Sequence, residues 1–573
     1  MKLAPLFAAL ATVTLAACAS QSLAPTVDPN ATAVDATALS SITADGLLQH
    51  IRVLGSDAFE GRLPGTVGEE KTIEYLVSQF KAMGLAPGNP DGSYIQSVPL
   101  VGITGTPTMK LRAGTQKIAL RRGTDFVATT SRFVPKVEVR DSELLFVGYG
   151  VQAPEYGWDD YKGVDVRGKT LVMLINDPAI PDPKDASRLD DNMFRGKAMT
   201  YYGRWTYKYE IASKLGAAAV IIVHETGPAG YPWEVVEHSW TGEQFELDAA
   251  DQNMGRVPAQ SWITLDKAKE LFKACGQDFA ALKKAAVGRE FHPVRLRARS
   301  SYSITNSVRT VQSHNVVARL AGSDPTLADQ HVIYSAHWDH LGRNPDMDGD
   351  QIFNGALDNA SGVAGILEIA QAYSKMPTPP KRSTLFMLVT AEEQGLLGSR
   401  HYASHPLHPL DRTVAMINLD GLNPWGPTSD MQVIGLGQNS LEDVLRDVAA
   451  AHGRSISPDK EPEKGFYFRS DQFEFAKRGV PGLYSDSGSQ VIGQSDGFYA
   501  DKRRQYTAHD YHNVSDEIKA DWDLRGAAQD MQLLVEVGWR VANATAWPQW
   551  KPGSEFKAAR DAQLAAPASG SAQ

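Results

Sequence analysis

The chain has 573 residues, of which 42% are hydrophobic and 22% charged, with a formal net charge of -10. Such a length exceeds one ordinary core and predicts roughly two to four domains. The acidic balance argues against a nucleic-acid partner, because neutralising phosphates takes a basic face that the sequence lacks.

At the start, Met1-Lys2 form a short positive region and residues 3–14 an apolar segment too short to span a bilayer, which predicts a secretion signal. It ends in Leu15-Ala16-Ala17-Cys18, which resembles the lipobox of bacterial lipoproteins. The resemblance implies a lipoprotein signal over residues 1–18, a lipid anchor on Cys18, and an exported protein held at the outer membrane, facing the periplasm or the cell surface. A plain signal peptide cut near Ala17 is the alternative. The only other cysteine is Cys275, so a lipidated Cys18 leaves no intrachain disulfide. Cys275 itself reads as a small buried residue rather than a reactive thiol.

Residues 19–42, rich in Ala, Thr, Pro and Ser, read as a flexible tether. The first helical part of the main domain is expected over 43–97. Thr43-Ala44-Asp45 opens one helix, with Leu47, Leu48, Ile51 and Leu54 at helical spacing, and a second runs over 68–83 with Ile73, Leu76, Val77 and Phe80 on one face. Over 98–301 the pattern changes to short β-type runs at 143–147, 170–175 and 218–223, which predicts an inserted, smaller α/β or β-rich module. Its segments 146–150 and 214–221 look like the protease-associated domain of exported peptidases. A decorative insertion with no partner role is the plain alternative.

Residues 302–548 alternate again. Strand-like runs at 315–320, 331–336, 384–389, 414–419, 431–434 and 481–484 are interleaved with helical patterns at 361–375 and 441–452, and another helix follows at 523–541. Fully apolar strands among amphipathic helices predict an α/β fold, a mostly parallel central sheet flanked by helices. In such sheets ligands collect at the carboxyl ends of the strands. Residues 549–573 are expected to form a disordered tail.

His337, Asp420 and the Glu392-Glu393 pair each fall just after a strand-like run, and Asp358 stands at the mouth of a helix. They therefore converge on one edge of the sheet. Imidazole with carboxylate and no thiolate is catalytic rather than structural zinc chemistry. Taken singly, each has a plain reading: a lone histidine is usually a satisfied polar group, and adjacent glutamates a solvated face. His509, three residues before His512, competes with it as a ligand. His224-Glu225 lacks the second histidine of a helical zinc motif, because Pro228 stands there.

His337-Trp338-Asp339, Asp358-Asn359-Ala360-Ser361-Gly362, Glu392-Glu393, Asn418-Leu419-Asp420 and Tyr511-His512 occur in the order found in the co-catalytic dizinc exopeptidases, and the chain resembles peptidase family M28. The resemblance implies two divalent metal ions, Zn2+ in this family. Asp358 would bridge them, His337 and Asp420 would complete one site, and Glu393 and His512 the other. Glu392 matches the general base, Tyr511 a tyrosine that helps stabilise the tetrahedral intermediate, and Asp339 the carboxylate that orients the first histidine. The implied activity is that of an aminopeptidase acting on peptides with a free N-terminus. The rivals are a carboxypeptidase or dipeptidase on the same scaffold, for which Arg469 is the one arginine near the motifs, a single-zinc cyclising acyltransferase, and a non-catalytic binding ectodomain. Leu357, Gly421 and Gln472 depart from the family pattern without removing a ligand.

Overall fold

The computed structural model describes residues 33–565, so the expected signal segment, Cys18 and residues 566–573 lie outside the described range. Among the described residues no helix is long and apolar enough to cross a membrane.

The apolar runs of the second half become strands buried on both faces. His331–His337 lies parallel between Ser383–Val389 and Thr413–Asn418, and Gly482–Asp486 follows in parallel beyond Thr413–Asn418. Successive side chains point to opposite faces. Val332, Tyr334 and Ala336 join the core under helices Ala44–Leu54, Gly362–Ser374 and Arg525–Asn543. Ile333 joins the opposite core with Tyr402 and Phe475. The helix Ala44–Leu54 starts where the Thr43 hydroxyl accepts the Gly46 N–H at 3.0 Å, a capping bond that satisfies one of the free amides of the first turn.

The inserted module has its own parallel set, Lys136–Phe146, Thr170–Leu174, Ala219–His224 and Ala259–Thr264 in that order, with a separate apolar core on each face. What joins it to the main sheet differs from expectation. The strand Val294–Leu320 is 27 residues long and Ile95–Ala113 is 19, and they pair antiparallel from Ala298 opposite Ala113 to Val316 opposite Ile95. One end of the longer strand pairs with Lys136–Phe146 and the other with Ser383–Val389, so both halves share one 16-stranded sheet. The boundaries expected at 97/98 and 301/302 thus fall inside continuous strands. The apolar pattern stops because residues 307–310 are exposed on both faces, while the backbone ladder that satisfies their N–H and C=O groups runs on.

Both ends of the described chain are more ordered than their composition suggests. Within the expected tether, Ala36–Ser40 is a helix capped by Asp35, and Ala38 and Ile42 are buried in the main core. Within the expected disordered tail, Lys557–Ala565 is a helix. Trp550, Phe556 and Arg560 are buried, and the Arg560 guanidinium donates to the Leu410 and Thr413 carbonyls.

Candidate active site

The fold delivers the expected acids and imidazoles to one place. His337 is the last residue of its strand, Glu392 and Glu393 follow the strand ending at Val389, and Asp420 follows the one ending at Asn418. Asp358 lies in the turn ahead of Gly362–Ser374, where its peptide bond to Asn359 is cis. Its two oxygens face different partners, Oδ1 at 3.4 Å from His337 Nε2 and Oδ2 at 3.3 Å from His512 Nε2. His337 Nε2 is also 3.3 Å from Asp420 Oδ1, and His512 Nε2 is 2.9 Å from Glu393 Oε2. Asp358 thus stands between two half-sites, one of His337 and Asp420 and one of His512 and Glu393.

Orientation is set from behind the cluster. His337 Nδ1 donates to the Asp339 carbonyl oxygen at 3.2 Å, which leaves Nε2 free to face the carboxylates. The Asp339 carboxylate is 3.7 Å from the same Nδ1 and accepts the Glu392 and Glu393 amides at 3.0 and 3.4 Å, so it also fixes the glutamate turn. Asp516 does the same for the bridging loop, its carboxylate accepting the amides of Leu357 and Asp358 at 3.1 and 3.0 Å. His509 is exposed at the end of Phe498–His509 and takes no part.

The electrostatics follow from crowding charges in a buried place. Burial opposes charge on His337, yet the Glu392 charge and the bonds from Asp339, Asp358 and Asp420 hold it well above the usual histidine range. Burial likewise opposes charge on His512, but Glu393 and Asp358 lift it to about 10. Against burial, the facing His337 and His512 imidazoles hold Asp358 well below the carboxylate range. Glu392 is pushed well above that range by burial, with Asp420 and Glu393 adding to the effect against His337. Burial and then the Asp358 and Glu393 charges push the Tyr511 phenol up, so it keeps its proton and can donate.

The residues fit a divalent cation. Three overlapping groups, His337 with Glu392 and Glu393, His337 with Asp358 and Asp420, and His340 with Asp358 and Glu393, each present ligand atoms within 4.8 Å of one another. His512 Nε2 is buried beside a carboxylate oxygen yet has no hydrogen-bond partner, as an atom placed for a cation would. The donors are all nitrogen and oxygen, a set that suits zinc, manganese or cobalt.

Several participants escaped the sequence reading. His340, fully buried, donates from Nδ1 to Glu393 Oε1 at 2.6 Å. Its signal was its place one residue after Asp339. Asp516, four residues after His512, had no local pattern to mark it. Arg204 and Arg503 join Arg469 around the cleft that opens from the cluster toward the inserted module. The departures from the family pattern are benign in position. Gln472 is buried away from the cleft, accepting from Asn418 and donating to the Tyr467 carbonyl, and Gly421 has φ +80.

Residues 315–535, which contain every proposed ligand, match the profile of peptidase family M28. The match covers this stretch, here the M28 segment, and leaves the inserted module outside it. A "Probable zinc metalloprotease" of Pyrenophora teres f. teres is 40% identical to the chain over 106 residues, 18% of this chain and 22% of that protein. A "probable leucine aminopeptidase 2" of Aspergillus oryzae is 25% identical over 348 residues, 60% of this chain and 51% of its own. Among solved structures, an aminopeptidase from Aneurinibacillus sp. strain AM-1 superposes with a TM-score of 0.49 at 21% identity, covering 90% of this chain and 96% of its own. The chain spans under a quarter of the length of the first curated relatives it matches, 22% and 23%.

Proposed function

We propose that the chain is an exported, metal-dependent exopeptidase of the aminopeptidase type. The observation that carries this reading is the Asp358 carboxylate turned with one oxygen toward His337 and the other toward His512. If two cations are held, His337 and Asp420 would hold one and Glu393 and His512 the other, with the Asp358 carboxylate serving both. The chemistry that a pair of divalent cations, zinc in relatives of this kind, supplies when bound is Lewis-acid polarisation of a carbonyl oxygen and acidification of water. Glu392, whose Oε2 lies 3.9 Å from His337 Nε2, takes up a proton at its carboxylate and returns it to the leaving amine. Tyr511, protonated and beside His512, donates to the developing oxyanion.

The reading is tested by metal analysis together with turnover of aminoacyl, N-blocked and C-terminally amidated peptides by wild type and Glu392→Gln. About two metals per chain and cleavage only of free-amine substrates support it. Full activity in Glu392→Gln overturns the mechanism.

A second reading, a carboxypeptidase or dipeptidase, gains from a specific observation. Arg204 and Arg469 each have a buried Nε without a partner at the cleft, and the Arg469 guanidinium lies 5.3 Å from both the Tyr231 and Phe466 rings. Such a pair suits a carboxylate. Cleavage abolished by C-terminal amidation selects this reading. For export, a lipid adduct on Cys18 in the intact mass of the mature protein is expected, and an unmodified N-terminus beginning elsewhere overturns it.

A further inference from the structure

The side of His512 that faces the Asp358 and Glu393 carboxylates is its Nε2. The opposite side of the ring looks out of the M28 segment and into the inserted module. There Ser239 Oγ lies 2.9 Å from His512 Nδ1, and the neighbouring His238 donates from Nδ1 to the His512 carbonyl oxygen, also at 2.9 Å. Both come from the helix Trp233–Thr241, whose Val235 and Val236 are buried in the module's own core and whose Trp240 packs on Trp205 and Trp262. The serine is therefore held by the module, not by the segment it touches. Tyr511, next to His512, packs against that same core.

We propose that the inserted module is part of the metal site, with Ser239 the positioning residue of His512. The proposal rests on the reading above in which His512 is a metal ligand. A histidine that binds through Nε2 must carry its proton on Nδ1, and a partner there fixes both the tautomer and the ring plane. The Ser239 hydroxyl is the acceptor for that proton. The need for such a hold is visible in the backbone: His512 has φ +55, a left-handed conformation that a side-chain-bearing residue adopts only when its surroundings enforce it. The His238 bond to the carbonyl and the Ser239 bond to the ring hold the two sides of that residue. Nothing in the M28 segment's own motifs supplies either contact, so the two half-sites are built differently. His337 is oriented from within, by the Asp339 carbonyl, and His512 from the module.

The test uses the full chain, stripped of metal and titrated with Zn2+ against a chromophoric chelator, with wild type, Ser239→Ala, Ser239→Thr and His512→Ala compared. Wild type is expected to bind two ions. Ser239→Ala should weaken one of them by about 10- to 100-fold and leave the other within about twofold, at the same site that His512→Ala abolishes. Ser239→Thr, which keeps the hydroxyl, should restore affinity to within a few-fold of wild type. Ser239 is half-buried on a helix, where alanine is a better helix former, so unchanged thermal unfolding of the metal-free variant separates the effect from misfolding. Equal affinities in wild type and Ser239→Ala overturn the role of Ser239 while leaving the two-metal reading intact. Equal loss in Ser239→Thr and Ser239→Ala also overturns it, because the hydroxyl is then not what matters. A wild type that binds no second ion overturns the reading on which the proposal stands.

Discussion

Two of the places where this molecule buries charge treat it in opposite ways. In the inserted module the fully buried Lys208 ammonium donates to the Tyr149, Asn176 and Tyr202 carbonyls at 2.6, 2.9 and 2.8 Å, and nearby Asp177 accepts from both the amide and the hydroxyl of Thr200. All three protons of that ammonium have an acceptor. In the M28 segment the cluster at the strand ends leaves His512 Nε2, His340 Nε2 and both Asp471 carboxylate oxygens buried without hydrogen-bond partners. Buried polar groups are normally satisfied, so Lys208 and Asp177 read as structure and the cluster at the strand ends as a functional site.

The comparison breaks first at Glu392, which in the site should serve chemistry and not stability. Glu392→Gln is expected to lower kcat by about a hundred- to ten-thousand-fold, with KM and metal content little changed. Steady-state kinetics beside metal analysis of the same sample measure both. A variant that loses its metals or its fold instead would place Glu392 among the structural charges.

Lys208 should behave the other way. Burial pulls its ammonium down to about 7, with Asp177 and Asp160 opposing that shift. Lys208→Met removes three satisfied bonds and leaves those carbonyls and Asp177 without their cation, for an expected destabilisation of about 3 to 5 kcal/mol. Denaturant unfolding followed by tryptophan emission reads this, and metals bound per folded molecule should not change. A loss of metal with unaltered stability would contradict the contrast.

Proton uptake sharpens it further. In the metal-free protein both His337 and His512 titrate above the ordinary histidine value, His512 at about 10, while Asp358 is held low and already ionised. A cation must therefore displace protons from the imidazoles, and affinity rises with pH. Two displaced protons mean about a hundredfold loss of affinity per pH unit on going down from pH 8 to 6. Titration calorimetry in two buffers of different ionisation enthalpy should return about two protons released, and a value near zero refutes it. For stability without metal the sign is reversed. Groups whose folded value is raised contribute fully below the unfolded histidine value of about 6.5, and the contribution is lost as pH rises through the folded values.

Much of this was legible because it is local. The runs ending at His337, Val389 and Asn418 show their strands by apolar content, and the M28 motifs carry the proposed ligands with them. What was not legible depends on distance or on a broken pattern. Ser239 meets His512 across 273 residues with no period to announce it. The strand Val294–Leu320 alternates in the module, is exposed over 307–310 and is buried on both faces over 315–318, so its pattern reads as separate pieces. Asp35 and Thr43 were cap signals inside or beside the supposed tether, and the alanines of Lys557–Ala565 favour helix as much as they suggest low complexity.

The smallest effect compares one glycine from each region. Gly421, beside the proposed ligand Asp420, has φ +80, and Gly168 in the module has φ +68; an added Cβ meets nothing within 4 Å at either. Substitution by alanine therefore costs backbone strain without a clash, about 1 kcal/mol at each position. The strain is equal but its consequences are not. The Gly421 amide donates to Asn359 Oδ1 at 3.0 Å, tying the Asp420 turn to the bridging loop, whereas the Gly168 amide donates to the Gly216 carbonyl far from any ligand. Gly421→Ala is expected to lower metal affinity a few-fold along with stability, and Gly168→Ala to lower stability alone. Parallel Zn2+ titrations and thermal unfolding of the two variants check this. A metal effect of the same size in both would mean that the module and the segment respond to strain as one body, and the distinction between a satisfied structural region and a poised site would have to be drawn elsewhere.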